Sequence, residues 1–205
     1  MSTETLTVDI TPAQLKAALL FASDGDATRT YLAAIRIEHG PKQTRMYATD
    51  GHRLLCVKLD NGTSRERPLA YSVPRSVIES LVKGFGKLPA ITFQWCKTDD
   101  GKASIKAGAI EVTGETVLYP DVLRVIPATF SGETAQFNPR YIADACKAKE
   151  LLTGARKSSG QAILGIAHNG GSAALLGLGP DAFGVLMPML TDAPTLPAWF
   201  TEVQS

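Results

Sequence analysis

The sequence predicts an α+β protein built from one β-α-β-β-β unit that occurs three times, with antiparallel sheet covered by helices on a single face. Three observations lead there. A helical apolar pattern opens at or beside a proline three times, at Pro12, Pro74 and Pro139, spaced by 62 and 65 residues. Each pattern is followed by three short runs rich in Ile, Val, Leu, Tyr and Thr and bounded by Gly, Asp or Asn, which is how strands joined by tight turns read. Each is also preceded by one further short run. A period this long exceeds that of a solenoid repeat and points to duplicated supersecondary units. One sheet with helices on one side is the economical way to bury their apolar faces.

The elements follow in order. The run "LTVDI" precedes "TPAQLKAALLFAS", where Thr11 can cap, Pro12 suits the first helical turn, and Leu15, Ala18, Leu19 and Ala22 share a face. Strand-like "YLAAIRIE", "TRMYAT" and "HRLLCVKL" come next. The second unit has "LAYSV", then "VPRSVIESLVKGFGK" with Val77, Ile78, Leu81, Val82 and Phe85 facing inward, then "AITFQWC", "KASIKAG" and "AIEVTGE". The third has "TAQF", then "NPRYIADACKAKELL" with Asn138 as cap and Tyr141, Ile142, Ala145 and Leu152 inward, then "QAILGIA", "SAALLGL" and "AFGVLMPM".

Composition narrows the functional classes. A chain of 205 residues, 44% hydrophobic and 20% charged, is long enough for a substantial core. It has no apolar run of the roughly 20 residues that a membrane span needs. Its start, "MSTETLTVDI", is polar and acidic, unlike a signal or transit peptide, so a cytoplasmic protein with no membrane partner is expected. Cys56, Cys96 and Cys146 lie far apart without a C-x-x-C pair, which argues against a disulfide framework or zinc knuckle and for buried free thiols. A net charge of +1 argues against coating nucleic acid by bulk electrostatics and leaves a local basic face open.

One stretch invites a catalytic reading. In "MYATDGHRLL", Asp50 and His52 flank a glycine, and His39 and His168 add two more imidazoles. The chain carries no G-x-S-x-G, P-loop, H-E-x-x-H or metal-spaced cysteine set. The glycines of "GLGPDAFG" lie between late strands, so they are no dinucleotide fingerprint. Neither an enzyme nor a cofactor is expected. Asp50-Gly51 reads instead as a two-residue hairpin turn, with positive φ cheap for glycine and tolerable for aspartate.

Three motifs in one order, "YATDGHRLL", "YPDVLRVIP" (Tyr119 to Pro127) and "GVLMPM" (Gly184 to Met189), resemble those of the bacterial sliding clamp family, the β subunit of DNA polymerase III. The resemblance runs from about residue 5 to 190 and implies the DNA-clamp fold, with antiparallel sheets outside and helices inside. It implies a clamp-type domain over 1–128, made of half-units at about 5–60 and 68–128. A clamp-type half-domain over 129–190 and a C-terminal tail over 191–205 follow. A first domain and one half-unit of the family have no counterpart, so a shortened clamp relative is expected.

The resemblance implies two sites. The first is the pocket where clamps hold peptides of DNA polymerases and other partners. Residue by residue it carries onto Leu32, Thr49, Gly51, His52, Arg53 and Leu54, then Pro120, Arg124 and Val125. Asn138 and Tyr141 follow from the third helix, and Val185, Leu186, Met187, Pro188 and Met189 from the last strand. Leu32, Leu54, Pro120, Val125 and Leu186 suit a floor for apolar anchors, Met187 and Met189 an adaptable wall, and His52, Arg53 and Arg124 a polar rim. The second site is a surface meeting double-stranded DNA through phosphates without reading bases, on Lys16, Arg75, Lys83, Arg140, Lys147 and Lys149, followed by Arg156 and Lys157 in "GARKSSG". The alternative for these cations is an ordinary solvated helix face.

Function is therefore expected to be a sliding-clamp-like processivity or recruitment factor. Its alternative is a non-encircling decoy or adaptor that sequesters clamp-binding peptides. A homo-oligomer of four chains would supply the family's twelve half-units, and a monomer is equally compatible. The tail "TDAPTLPAWFTEVQS", with Leu196, Trp199 and Phe200, continues past the point where family members end and is expected to fold back near the pocket or dock on another subunit.

Overall fold

The computed structural model describes residues 5–25, 29–64, 66–97, 103–114, 119–155, 160–191 and 194–195. The first unit is β1 (Thr5–Ile10), α1 (Pro12–Phe21), β2 (Ala34–His39), β3 (Thr44–Thr49) and β4 (Arg53–Leu59). The second is β5 (Leu69–Pro74), α2 (Arg75–Phe85), β6 (Ile91–Lys97), β7 (Ala103–Ala107) and β8 (Ile110–Gly114). The third is α3 (Pro139–Thr153), β9 (Gly165–Ala167), β10 (Ala174–Gly179) and β11 (Ala182–Leu186).

Local chemistry sets the helix boundaries. Thr11 and Gln14 form a capping box at the start of α1, with Pro12 in its first turn. Asn138 accepts from the Arg140 N–H and caps α3, which ends at Gly154 with φ +66°, a conformation glycine adopts without a Cβ penalty.

Two antiparallel sheets stand where the repeat alone suggested one. The first two units exchange their leading strands, so that β1 pairs with β6 and β5 pairs with β2. The sheets run β1-β6-β7-β8 and β5-β2-β3-β4-β11-β10-β9. The third unit joins the larger sheet through β4 and β11, with Leu54 opposite Val185 and Arg53 opposite Leu186.

Two strand expectations are corrected. "TAQF" forms no strand; it makes a single bridge, Gln136 to Met189. Tyr31 and Leu32 lie outside β2, in a 3-10 turn over Thr30–Leu32, which turns Leu32 toward the mouth of the site described below.

The helices form one layer, with α1 packed between α2 and α3; α1 and α3 lie against the seven-stranded sheet, while α2 touches it at β5, the strand that leads into it. Strand alternation then sorts the side chains. Met46, Ala48, Leu55, Val57 and Leu186 face the helices in the main core, together with Leu15, Ala18 and Phe21 of α1. Tyr47, Leu54, Cys56 and Val185 face the other way and form a second, smaller cluster under Tyr119 and Val122. That outer cluster floors the candidate site. No helix among the described residues is long and apolar enough to cross a membrane.

Candidate functional site

The site begins at the β3–β4 connection. Thr49 and Leu54 are its last paired residues, so the loop holds four residues, Asp50 to Arg53, and is not the two-residue turn expected. Only Gly51 takes positive φ, +92°, and Asp50 does not. The Asp50 carboxylate instead accepts from the backbone N–H groups of His52 at 2.9 Å and Arg53 at 3.1 Å, and from Arg53 Nε at 2.9 Å. An aspartate that binds its own following backbone closes such a loop without the strain of positive φ.

The loop is then tied to the third unit. The His52 carbonyl accepts from the Met187 N–H at 2.9 Å. The His52 ring stacks on Tyr141 of α3, with centroids 6.2 Å apart. The buried Arg53 guanidinium donates from Nη1 to Asp144 of α3 at 2.7 Å and lies 4.4 Å from the centroid of the Tyr141 ring. With both Asp50 oxygens engaged by the loop, the aspartate makes no hydrogen bond to the His52 imidazole among the described residues. His39 is a core residue bonded to the Thr63 carbonyl and the Tyr71 hydroxyl. The geometry is that of a folded rim rather than an acid–base pair.

Above the outer cluster lies an apolar cavity of about 190 Å³. Ten of the sixteen expected pocket residues line it: Leu32, Thr49, Gly51, His52, Arg53, Leu54, Pro120, Val125, Val185 and Met187. They come from all three units, separated by up to 155 positions in the chain. A Cβ on Gly51 would stand 3.2 Å from the Arg29 guanidinium and 3.6 Å from Leu32, so the glycine keeps this wall open.

Six expected residues do not line the cavity. Leu186 points to the helix side and is fully buried there, because strand alternation sends Val185 outward in its place. Asn138 is engaged as the α3 cap. Arg124 is ion-paired with Asp121 at 3.2 Å on a side chain 84% exposed. Tyr141 lies beyond His52, where with Arg53, Arg75, Arg140 and Asp144 it lines a neighbouring polar cavity of about 500 Å³. Pro188 and Met189 lie past the end of β11, and Met189 is held by Gln136 through the 2.8 Å bond from its N–H.

Four lining residues were not foreseen: Arg29, Tyr31, Asp121 and Val122. Val122 and Val125 belong to one 3-10 turn in which residues three apart eclipse, a signal present in "DVLRV" once that turn is recognised. Tyr31 could have been found beside Leu32 only by reading that stretch as a turn. Nothing in the sequence singles out Arg29.

The expected DNA-facing cations divide. Lys16, Lys83, Arg140 and Lys147 are exposed on their helices. Arg75 is turned inward, donating to the carbonyls of Leu19 and Ala22, both at 2.9 Å, where it caps the C-terminal end of α1. Lys149 donates to the carbonyls of Ile163 at 2.7 Å and Gly177 at 3.1 Å, joining α3 to the connection before β9 and to β10. Arg156 and Lys157 lie outside the described residues, as does most of the tail, including Leu196, Trp199 and Phe200.

Comparison with known proteins agrees with this fold. No protein-family model matches the chain. It is similar to the β sliding clamp of Synechococcus elongatus, 28% identical over 132 residues, covering 60% of this chain and 34% of that protein. The Helicobacter pylori β clamp in complex with diflunisal superposes with a TM-score of 0.67 at 13% identity, over 93% of this chain and 68% of that one. The H. pylori clamp bound to a DNA ligase peptide gives 0.61 at 12% identity, over 93% and 67%. The sliding clamp of Pseudomonas aeruginosa gives 0.60 at 17% identity, over 91% and 66%. The chain thus spans about a third of the curated relative and about two thirds of the solved clamps. It is a clamp-like protein with the fold of the DNA polymerase III β clamps.

Proposed function

We propose that the chain is a clamp-like recruitment factor for DNA replication or repair, and that its apolar cavity takes a short peptide segment of a polymerase, ligase or related protein. The observation that carries the reading is the convergence of ten expected residues from three separate units on one apolar cavity with a polar rim. A solved clamp of the same fold binds a DNA ligase peptide, which supports the same class of partner here. Burying an apolar anchor contributes about 1.5–3 kcal/mol, and two anchors less the cost of ordering the peptide give roughly micromolar affinity, about −8 kcal/mol. Such binding is weak enough for partners to exchange. His52→Ala or Met187→Ala, measured by anisotropy of a labelled ligase-type peptide, should weaken binding about 3- to 10-fold.

The helix face, with Lys16, Lys83, Arg140 and Lys147 exposed, supports loose, salt-sensitive contact with duplex DNA. Encirclement requires an oligomer of this chain. A second reading, a peptide-sequestering adaptor that does not encircle DNA, is favoured by the inward engagement of Arg75 and Lys149, which thins that face. Sedimentation of the protein together with a retention assay on circular and linear DNA separates the two. A closed oligomer that stays on circles and slides off ends supports the first reading. A monomer with peptide affinity and no retention supports the second.

A further inference from the structure

We infer that the third unit is completed by the third unit of a second copy of this chain. Residues 134–137 of each chain add as a strand to the outer edge of β9 in the other, and the two half-domains close into one domain about a two-fold axis; this goes beyond the peptide-binding reading and does not depend on it.

The chain contains the pattern for that contact. Its first two units complete each other by exchanging leading strands, β1 onto β6 and β5 onto β2. The exchange sets Val8 and Ile10 opposite Phe93 and Ile91, and Tyr71 and Val73 opposite Ile37 and Ile35. All eight side chains are buried. Leu15 and Ile78, the fourth residues of α1 and α2, are buried in the same core.

The third unit has the same positions without the cover. Phe137 stands two residues before α3, as Ile10 and Val73 stand two before α1 and α2. Ile166 lies opposite Leu176 as Ile37 lies opposite Met46, so Leu164 and Ile166 hold the places of Ile35 and Ile37. Phe137, Leu164, Ile166 and Ile142, the fourth residue of α3, pack against the main core yet are only half-buried. Ala34, next to Ile35, is buried, whereas Ile163, next to Leu164, is 72% exposed.

The backbone groups agree. β9 is the outer strand of its sheet and pairs only with β10. The Gln136 carbonyl accepts from the Met189 N–H of its own unit, as the Thr7 carbonyl of β1 accepts from the Thr63 N–H. Alternation along an extended run turns the groups of Ala135 and Phe137 the other way, and they make no hydrogen bond among the described residues. In β1 the side opposite Thr63 is the one that pairs with β6.

Reciprocity identifies the occupant. A unit that exchanges strands both offers a leading run and needs one, and unpaired edges recruit strands. Among the described residues the third unit alone still has both pieces free. A second copy supplies both at once, through an isologous contact. The register of β5 on β2 then sets Thr134, Ala135 and Phe137 opposite Ala167, Ile166 and Leu164 of the partner subunit, and α3 meets α3 as α1 meets α2.

The test uses the full-length chain. Sedimentation equilibrium from about 1 to 100 μM should show a dimer with a dissociation constant of roughly micromolar order. Ile163→Glu puts a carboxylate on each side of the contact and away from the core, and should raise that constant at least about 10-fold with far-UV circular dichroism unchanged. Thr134→Cys chains mixed with Ala167→Cys chains under mild oxidation should form a disulfide between the two positions, found by mass spectrometry of the linked peptide. Such a link arises only between chains. A chain that stays monomeric at about 100 μM overturns the inference. So does a dimer that survives Ile163→Glu and gives no 134–167 link, because the contact then lies elsewhere, as at the outer edge of β8. Peptide binding is read separately: a monomer that binds peptide sinks this inference alone, and a linked dimer that binds none sinks the peptide site alone.

Discussion

Arg53 Nη1 donates to Asp144 Oδ2 at 2.7 Å, joining the β3–β4 loop of the first unit to the helix of the third across 91 positions of sequence. The same guanidinium bonds Asp50 and lies against the rings of Tyr141 and Phe21, so one nearly buried cation holds the loop, α1 and α3 together beneath the peptide site. Removing it leaves two carboxylates, 16% and 25% exposed, without their counter-charge. Arg53→Met is expected to lower unfolding free energy by about 2–4 kcal/mol, whereas Asp144→Asn, with Asp50 still neutralising the arginine, costs about 1 kcal/mol. Urea unfolding of both single variants and the double should show them non-additive.

Gly51 combines positive φ with a wall position. Gly51→Ala is expected to cost about 1–2 kcal/mol of stability from backbone strain. Its new Cβ, 3.6 Å from Leu32, also narrows the cavity, so peptide affinity should fall in the same variant. Gly132→Ala, at another positive-φ glycine with open space around it, should show the strain without the affinity loss.

Burial pushes the Cys56 thiol up to about 11 from an ordinary value near 9. Between those values the folded chain keeps a proton that the unfolded chain releases, so its contribution to stability is complete below about pH 9 and is lost as pH rises toward 11, by about 2–3 kcal/mol in all. Buried Tyr47, Tyr71 and Tyr119 are also shifted upward by desolvation and extend the same trend. Thermal melts from pH 8 to 11 should therefore fall more steeply for the native chain than for Cys56→Ala. Thiol labelling of Cys56 in the folded protein at pH 8 should be slow.

Exposed and inward-turned cations should behave differently toward DNA. Lys16→Glu and Lys83→Glu are expected to weaken binding to duplex DNA and lower its salt dependence, with little effect on stability. Lys149→Ala, which unties α3 from the carbonyls of Gly177 in β10 and Ile163 just before β9, should act mainly on stability, by about 1 kcal/mol. Electrophoretic mobility shift at two salt concentrations, alongside thermal melts, reads both.

The three units were legible because each carries its own helix signal and its own set of strands, and local periodicity is what sequence shows best. Strand exchange was not legible: nothing in "LTVDI" says that it pairs with "ITFQWC" rather than with its own unit. Nor does "TAQF" announce that it makes only the bridge from Gln136 to Met189. At the site, Leu54 and Val185 share the outer face, as paired positions on neighbouring strands do. Leu186, expected at the cavity, lies in the main core instead, because strand alternation turns it away from Val185. Arg75 and Lys149 were read by charge alone, and their direction depends on which orphan carbonyls lie nearby, a tertiary fact.

Titration calorimetry of one Leu-Phe-anchored peptide against the native chain and Val125→Glu is the sharpest check on the apolar cavity as a peptide site. Val125 is 48% exposed at the cavity, so the substitution places a carboxylate there without disturbing the core. A peptide site there gives saturable one-to-one binding of roughly micromolar to tens-of-micromolar affinity in the native chain, weakened at least about 10-fold by Val125→Glu. Equal affinity in the two proteins, or no binding to the native chain at millimolar peptide, would contradict it.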